Sequence, residues 1–166
     1  MTTFLETKVD KFTFHVDPTC FFTSEGVWVR VDGNRARLGL SDFLQQRSGD
    51  IAFVEVKPAG AILALGDEFS SIETIKVDIA LYSPVSSKVL LVNPALETAP
   101  EAINQDPFGE GWLCEVELSD WEKDQPRLLD TTAYFEKMKR EAEEEVKRNG
   151  GIPIIPINLE RRPDLA

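Results

Sequence analysis

Few side chains in this sequence are equipped for chemistry, and one of them stands in an odd place. In "IETIKVDIALYSPVS", residues 72–86, Lys76 sits between Ile75 and Val77 in a stretch that otherwise reads as β-strand. A lysine there has three uses: an edge charge that discourages aggregation, a catalytic amine, or an attachment point for a larger group. Periodicity alone favours the solvated edge charge. A catalytic amine needs burial or a neighbouring cation. The local charges are Glu73 and Asp78, both acidic, which speaks against a nucleophilic or Schiff-base lysine. An attachment lysine should stand at a tight turn between two strands, open to a modifying enzyme while its backbone stays fixed. "EFSSIETI" and "VDIALYS" supply such strands on either side of Lys76. Acylation would remove the charge and leave a long neutral arm.

The other reactive types offer less. His15 is the single histidine and lies in the N-terminal flank, a poor start for a Ser-His-Asp or Cys-His arrangement. Cys20 and Cys114 are far apart and show no metal-binding or redox spacing, so they read as two partly buried thiols. No GxGxxG and no phosphate-loop lysine is present. The net charge of −11 argues against nucleic acid and against anionic membrane surfaces. It fits a protein that docks onto basic partners. No apolar run approaches the roughly 20 residues of a membrane span, and the first residues lack the pattern of a targeting signal. The expectation is a cytoplasmic monomer that binds neither nucleic acid nor membrane.

The elements that must position Lys76 are mostly strands. The 166 residues are enough for one domain with a core. Residues 1–23 form a flank in which "FTFHV" alternates and is able to add an edge strand. "VWVRV" (27–31) puts Val27, Val29 and Val31 on one face, and Trp28 and Arg30 on the other. "DGN" turns it into "RARLGL". "SDFLQQRSG" reads as a short helix capped by Ser41 and stopped by Gly49. From Asp50 to Val92 short strands and polar turns follow closely, the pattern of a small barrel or sandwich. Residues 93–111 read as loop and short helix, and "WLCEVEL" as a further strand. A long helix follows, capped by Asp130, with an apolar stripe of Phe135, Met138, Ala142 and Val146. Its expected i,i+4 ion pairs are Glu136–Arg140, Glu143–Lys147 and Glu144–Arg148. Residues 24–149 thus make the domain, and 150–166 a proline-rich tail.

Across residues 24–145 the sequence resembles the H-protein family of the glycine cleavage system, which are lipoyl carriers. The residues that carry the resemblance are "GDIAFVEV", "GDEFSSIETIKVDIALYSPVS" and "VNPALETAPEAINQDPFGEGWL". The train Glu73-Thr74-Ile75-Lys76-Val77, Tyr82-Ser83-Pro84-Val85-Ser86, Val92-Asn93, Asn104-Gln105-Asp106-Pro107-Phe108-Gly109 and Gly111-Trp112 follows the family's order and spacing. The resemblance implies a mainly β fold, a barrel-sandwich hybrid with short helices and a C-terminal α-helix. It implies lipoic acid joined to Lys76 by an amide, with Glu73 helping the lipoylating enzyme recognise the hairpin. Biotin carriers flank their lysine with Met on both sides, whereas here the neighbours are Ile75 and Val77.

Two positions depart from the family. Where its pattern reads His-Glu-Trp, this chain has Gly26-Val27-Trp28, and the acid four residues after the lysine aligns with Ala80. An amine on the arm near Val27 and Ala80 would lack their charge-assisted hydrogen bonds, each worth about 1.5–3 kcal/mol. Glu25 and Asp78 are the neighbouring acids that would have to substitute. These departures and the tail resemble the lipoate-binding proteins of the heterodisulfide-reductase-like sulfur oxidation system. That branch is the preferred reading, with the arm passing sulfur between a heterodisulfide-reductase-like complex or sulfurtransferases. The alternatives are a glycine cleavage H protein carrying an aminomethyl group among the P, T and L proteins, and an unmodified barrel adaptor. On any of these readings the chain is a carrier or adaptor, not an enzyme.

Overall fold

Alternating apolar residues build two antiparallel sheets around a shared core, and the outer side of the larger sheet carries a second core. The computed structural model describes residues 3–149. Its six-stranded sheet runs in space as β3 (Phe21–Phe22), β4 (Val27–Asp32), β5 (Arg35–Leu40), β11 (Cys114–Leu118), β10 (Ser87–Val92) and β7 (Ile62–Leu63). The three-stranded sheet is β6 (Ile51–Val56), β8 (Glu68–Thr74) and β9 (Asp78–Tyr82). This is the mainly β sandwich or barrel-like fold that the sequence pattern implies. The β4–β5 hairpin closes through Gly33 and Asn34, where a φ of +66° suits glycine.

Strand alternation explains both cores. Val27 and Val29 point into the shared core with Leu38, Phe69, Ile72, Ile79 and Val116. Trp28, from the opposite face of β4, enters the second core with Phe14, Phe22, Phe43, Phe108 and Met138. Its indole lies so close to Gly39 that an added Cβ there would stand 2.4 Å from the ring. The indole N–H donates to the Pro107 carbonyl at 3.0 Å.

The N-terminal flank belongs to this second core. β2 (Phe12–Val16) pairs with β1 (Leu5–Val9), a strand the sequence pattern did not single out, so "FTFHV" forms its own hairpin and does not extend a larger sheet. Val9, Phe14, Val16 and Cys20 are buried. His15 is held in β2, its ring against Glu6 at 2.9 Å and its backbone N–H donating to Asp42 at 2.9 Å.

The helices follow their caps. In α1 (Asp42–Ser48) the Ser41 hydroxyl accepts from the Leu44 N–H at 3.2 Å, and Gly49 ends the helix at φ +86°. Residues 93–111 hold the short α2 (Ala102–Gln105), and α3 (Trp121–Asp124), a second unforeseen element, follows β11. In α4 (Thr131–Asn149) the Asp130 carboxylate caps the Ala133 N–H at 2.8 Å.

The buried row of α4 is Tyr134, Met138 and Ala142, while Phe135 and Val146 pack at its margin. Tyr134 was missed because its hydroxyl reads as polar; here it donates to Ser41 Oγ at 2.8 Å. Burial raises the pKa of its phenol. Among the described residues the three expected ion pairs of α4 are absent. Lys137–Glu141 forms instead, and Glu141 and Glu145 reach across to Arg47 of α1. Glu136, Glu143 and Glu144 are exposed, where an i,i+4 pair gains little over water, whereas Glu141 and Glu145 face a guanidinium held against the Phe43 ring. The expected tail, 150–166, lies outside the described residues.

Candidate functional site

The hairpin that carries Lys76 is tied by the Thr74 side chain. β8 and β9 pair through Glu73 opposite Asp78 and Ile72 opposite Ile79. The Thr74 N–H donates to the Val77 carbonyl at 2.8 Å, which closes the loop over Ile75 and Lys76. The buried Thr74 hydroxyl accepts from the Lys76 N–H at 3.2 Å and from the Val77 N–H at 3.1 Å, and lies 3.1 Å from the Val77 carbonyl. The Lys76 N–H and both backbone groups of Val77 thereby find partners within the turn. Thr74 escaped sequence reasoning because it looks like one more β-branched strand residue. A threonine one residue before an apex is the signal that could have found it.

Both apex side chains face solvent: Lys76 is exposed and Ile75 is 85% exposed. Below them Ile72, Ile79 and Leu81 lock the strands into the shared core. The result is an amine on a stiff support with open space around it. Such an amine can be acylated, since an enzyme can enclose it without unfolding anything. Glu73 is exposed on β8, between Phe53 of β6 and Asp78 of β9. Ala80 lies on the same outward face, half-buried, in register with Ser71. Val27 is not part of this group: it stands in the other sheet with its side chain 2% exposed in the core. Glu25 is exposed and takes a short hydrogen bond from the Ser24 hydroxyl.

The rest of the motif train builds the support. Asn93 donates to the carbonyls of Glu110 and Trp112, each at 2.8 Å, and its side-chain oxygen caps Ala95. Asn104 accepts from the Ile51 N–H and donates to Gln45 and to the Gly49 carbonyl, pinning the start of β6 to the end of α1. Asp106 accepts from the Glu110 N–H at 2.9 Å. A Cβ on Gly111 would come within 2.6 Å of the Ala102 carbonyl oxygen. Ser83 donates to the Val85 carbonyl at 2.7 Å.

The thiols are scaffold as well: burial pushes Cys20 and Cys114 up to about 12, helped at Cys20 by the Asp17 carboxylate. Among the described residues no group of three or more His, Cys, Asp or Glu is placed to hold a metal ion. No described helix is long and apolar enough to cross a membrane.

Known proteins resemble this chain in sequence and in fold. The family model described as Glycine cleavage H-protein matches residues 20–141. A glycine cleavage system H protein of Rubrobacter xylanophilus is 40% identical over 120 residues, covering 72% of this chain and 92% of that protein. That of Brevibacillus brevis is 42% identical over 118 residues, covering 71% and 93%. The chain belongs to the glycine cleavage H-protein family. A crystal structure of a glycine cleavage system H protein from Mycobacterium marinum has the same fold, with a TM-score of 0.62 at 23% identity over 81% of this chain and 99% of that one. Members of the family are lipoyl carriers that hold lipoic acid covalently on a lysine.

Proposed function

We propose that Lys76 is the lipoyl attachment site and that the chain is the mobile carrier of a glycine cleavage system. The observation that carries this is the geometry of the apex: an exposed amine on a two-residue loop whose ends are fixed by the Thr74 hydroxyl. Attachment is an acyl transfer. The Lys76 Nζ lone pair attacks the carbonyl of an activated lipoate, the amide forms, the activating group leaves and Nζ loses a proton. When bound, lipoate supplies a disulfide that opens to a dithiol and takes a passenger on sulfur. The chain contributes a fixed origin for the arm, an open path around it, and Glu73 as a mark for the lipoylating enzyme. On this reading the partners are that enzyme and the P, T and L proteins, the working unit is the expected domain of residues 24–149 together with the N-terminal hairpin packed on it, and the protein acts as a cytoplasmic monomer. The names of the relatives support glycine cleavage.

One observation favours a second passenger. Ala80, on the outward face of the Lys76 hairpin, is apolar where the family pattern places a carboxylate, which suits a neutral, sulfur-laden arm serving a heterodisulfide-reductase-like complex or sulfurtransferases. Two measurements test these readings. Intact mass after incubation with lipoate ligase, lipoate and ATP should rise by one lipoyl group, and Lys76→Ala should abolish the rise; an unchanged wild-type mass ends the proposal. The lipoylated protein should then be loaded by glycine decarboxylase. Failure there, with lipoylation intact, moves the preference to sulfur.

A further inference from the structure

The hairpin apex is too small to be recognised alone. A specific protein interface covers about 800 Å² on each partner, some 20–30 residues a side. An enzyme that encloses Lys76 must therefore rest on what adjoins it, and the outward face of the three-stranded sheet runs directly from the apex. Side chains opposite one another in register share a face. The first row below the apex is Phe53–Glu73–Asp78, and the next is Glu55–Ser71–Ala80.

Phe53 faces outward from β6. Its ring is 66% exposed, while the inward-facing residues of β6, Ile51, Val54 and Val56, pack against the core. It sits where the register shifts between Ile51 and Phe53, opposite Glu73 and two residues before Glu55 on its own strand, with Asp78 next in the row beyond Glu73. A shallow groove of about 210 Å³, lined by Glu55, Glu68 and Lys57 among others, continues the face away from the apex. An exposed aromatic with acids near it is the anatomy of an interface anchor with a polar rim. Its complement is an apolar notch bordered by lysine or arginine.

We propose that this face, with Phe53 as anchor and Glu55 as flanking charge, is the docking surface for the enzyme that acylates Lys76, which meets it with an apolar notch in a basic surface. The inference rests on the attachment role of Lys76, and the test separates the two. The probe is a purified lipoate ligase with lipoate and ATP, and lipoylation is followed by intact mass at several carrier concentrations. Phe53→Ala should lower kcat/KM at least about tenfold, mainly through KM. Phe53→Tyr should restore most of it. Glu55→Gln should lower kcat/KM less, and flatten its dependence on salt. Ile62→Ala removes a comparably exposed apolar side chain from the other sheet, 74% exposed, and should change nothing. Thermal melts of all four variants should match the wild type.

Competition gives a second readout that needs no turnover of the variant. Lys76→Arg cannot be acylated and should inhibit lipoylation of wild type, whereas Lys76→Arg with Phe53→Ala should not. Normal lipoylation of wild type together with a Phe53→Ala kcat/KM within twofold of it overturns the docking surface alone. No lipoylation of wild type overturns the attachment site, and the docking surface with it.

Discussion

Two cations show how differently one small domain can treat a positive charge. Lys76 stands exposed at the end of a hairpin, and its surroundings fix the backbone beneath it while leaving the ammonium in water. Arg47 is enclosed between α1 and α4, its side chain 5% exposed, with Glu145 and Glu141 beside it and its guanidinium over the Phe43 ring. Burial lowers the Arg47 pKa, and the two glutamates oppose that shift. The apex charge contributes little to folding and is therefore available for chemical change. The interior charge cannot be altered without loosening the helix that covers the second core. A charge that contributes so little to the fold is one that acylation can remove at little structural cost.

The largest expected effect breaks the first half of this contrast. Lys76→Ala should abolish lipoylation in the mass assay while leaving the urea midpoint where it was. Arg47→Ala should do the reverse. It strands a buried carboxylate and should cost about 3–5 kcal/mol in a urea titration, with lipoylation of the surviving native fraction intact. Thr74→Val tests the support itself. It removes the acceptor for two backbone N–H groups and should cost about 1–2 kcal/mol, with slower lipoylation as the apex loosens.

A pH experiment sharpens the interior half. Burial raises the pKa of Glu145 above the ordinary 4.5, against the pull of Arg47. Between 4.5 and that raised value the native state holds the proton more tightly than the unfolded chain. This contribution to stability is present below 4.5 and is lost as the pH rises through the folded value. Glu145→Gln should remove that part of the slope in urea midpoints measured from about pH 4 to 8. The smallest effect belongs to the half-exposed Lys137–Glu141 pair, where Lys137→Met should cost about 0.3–0.5 kcal/mol.

Much of this was legible in the sequence, for reasons that differ by region. The hairpin around Lys76, the Gly33–Asn34 turn, the Ser41 and Asp130 caps and the strands from Ile51 to Val92 are local features, written in alternation and turn chemistry. What escaped needs a partner distant in sequence. β1 is exposed along most of its length and earns its place only by pairing with β2. Tyr134 is buried because Ser41, 93 residues away, receives its hydroxyl. Glu141 and Glu145 were left out of the expected ion pairs of α4 because nothing local points to Arg47. Val27 was read as facing the arm by alignment with the family pattern, yet strand alternation alone had already put it on the inner face with Val29.

On the proposed attachment role, the turn closed between Thr74 and Val77 would also set the reach of the group joined at Lys76. With Thr74 bonded to Val77 across the two-residue turn, most of the travel would come from the carbons beyond the backbone. A tether pinned at an unyielding point sweeps a fixed radius. Partners too large to crowd inside that radius together must take turns, so a cycle of deliveries would be paced by how quickly one client leaves and the next arrives.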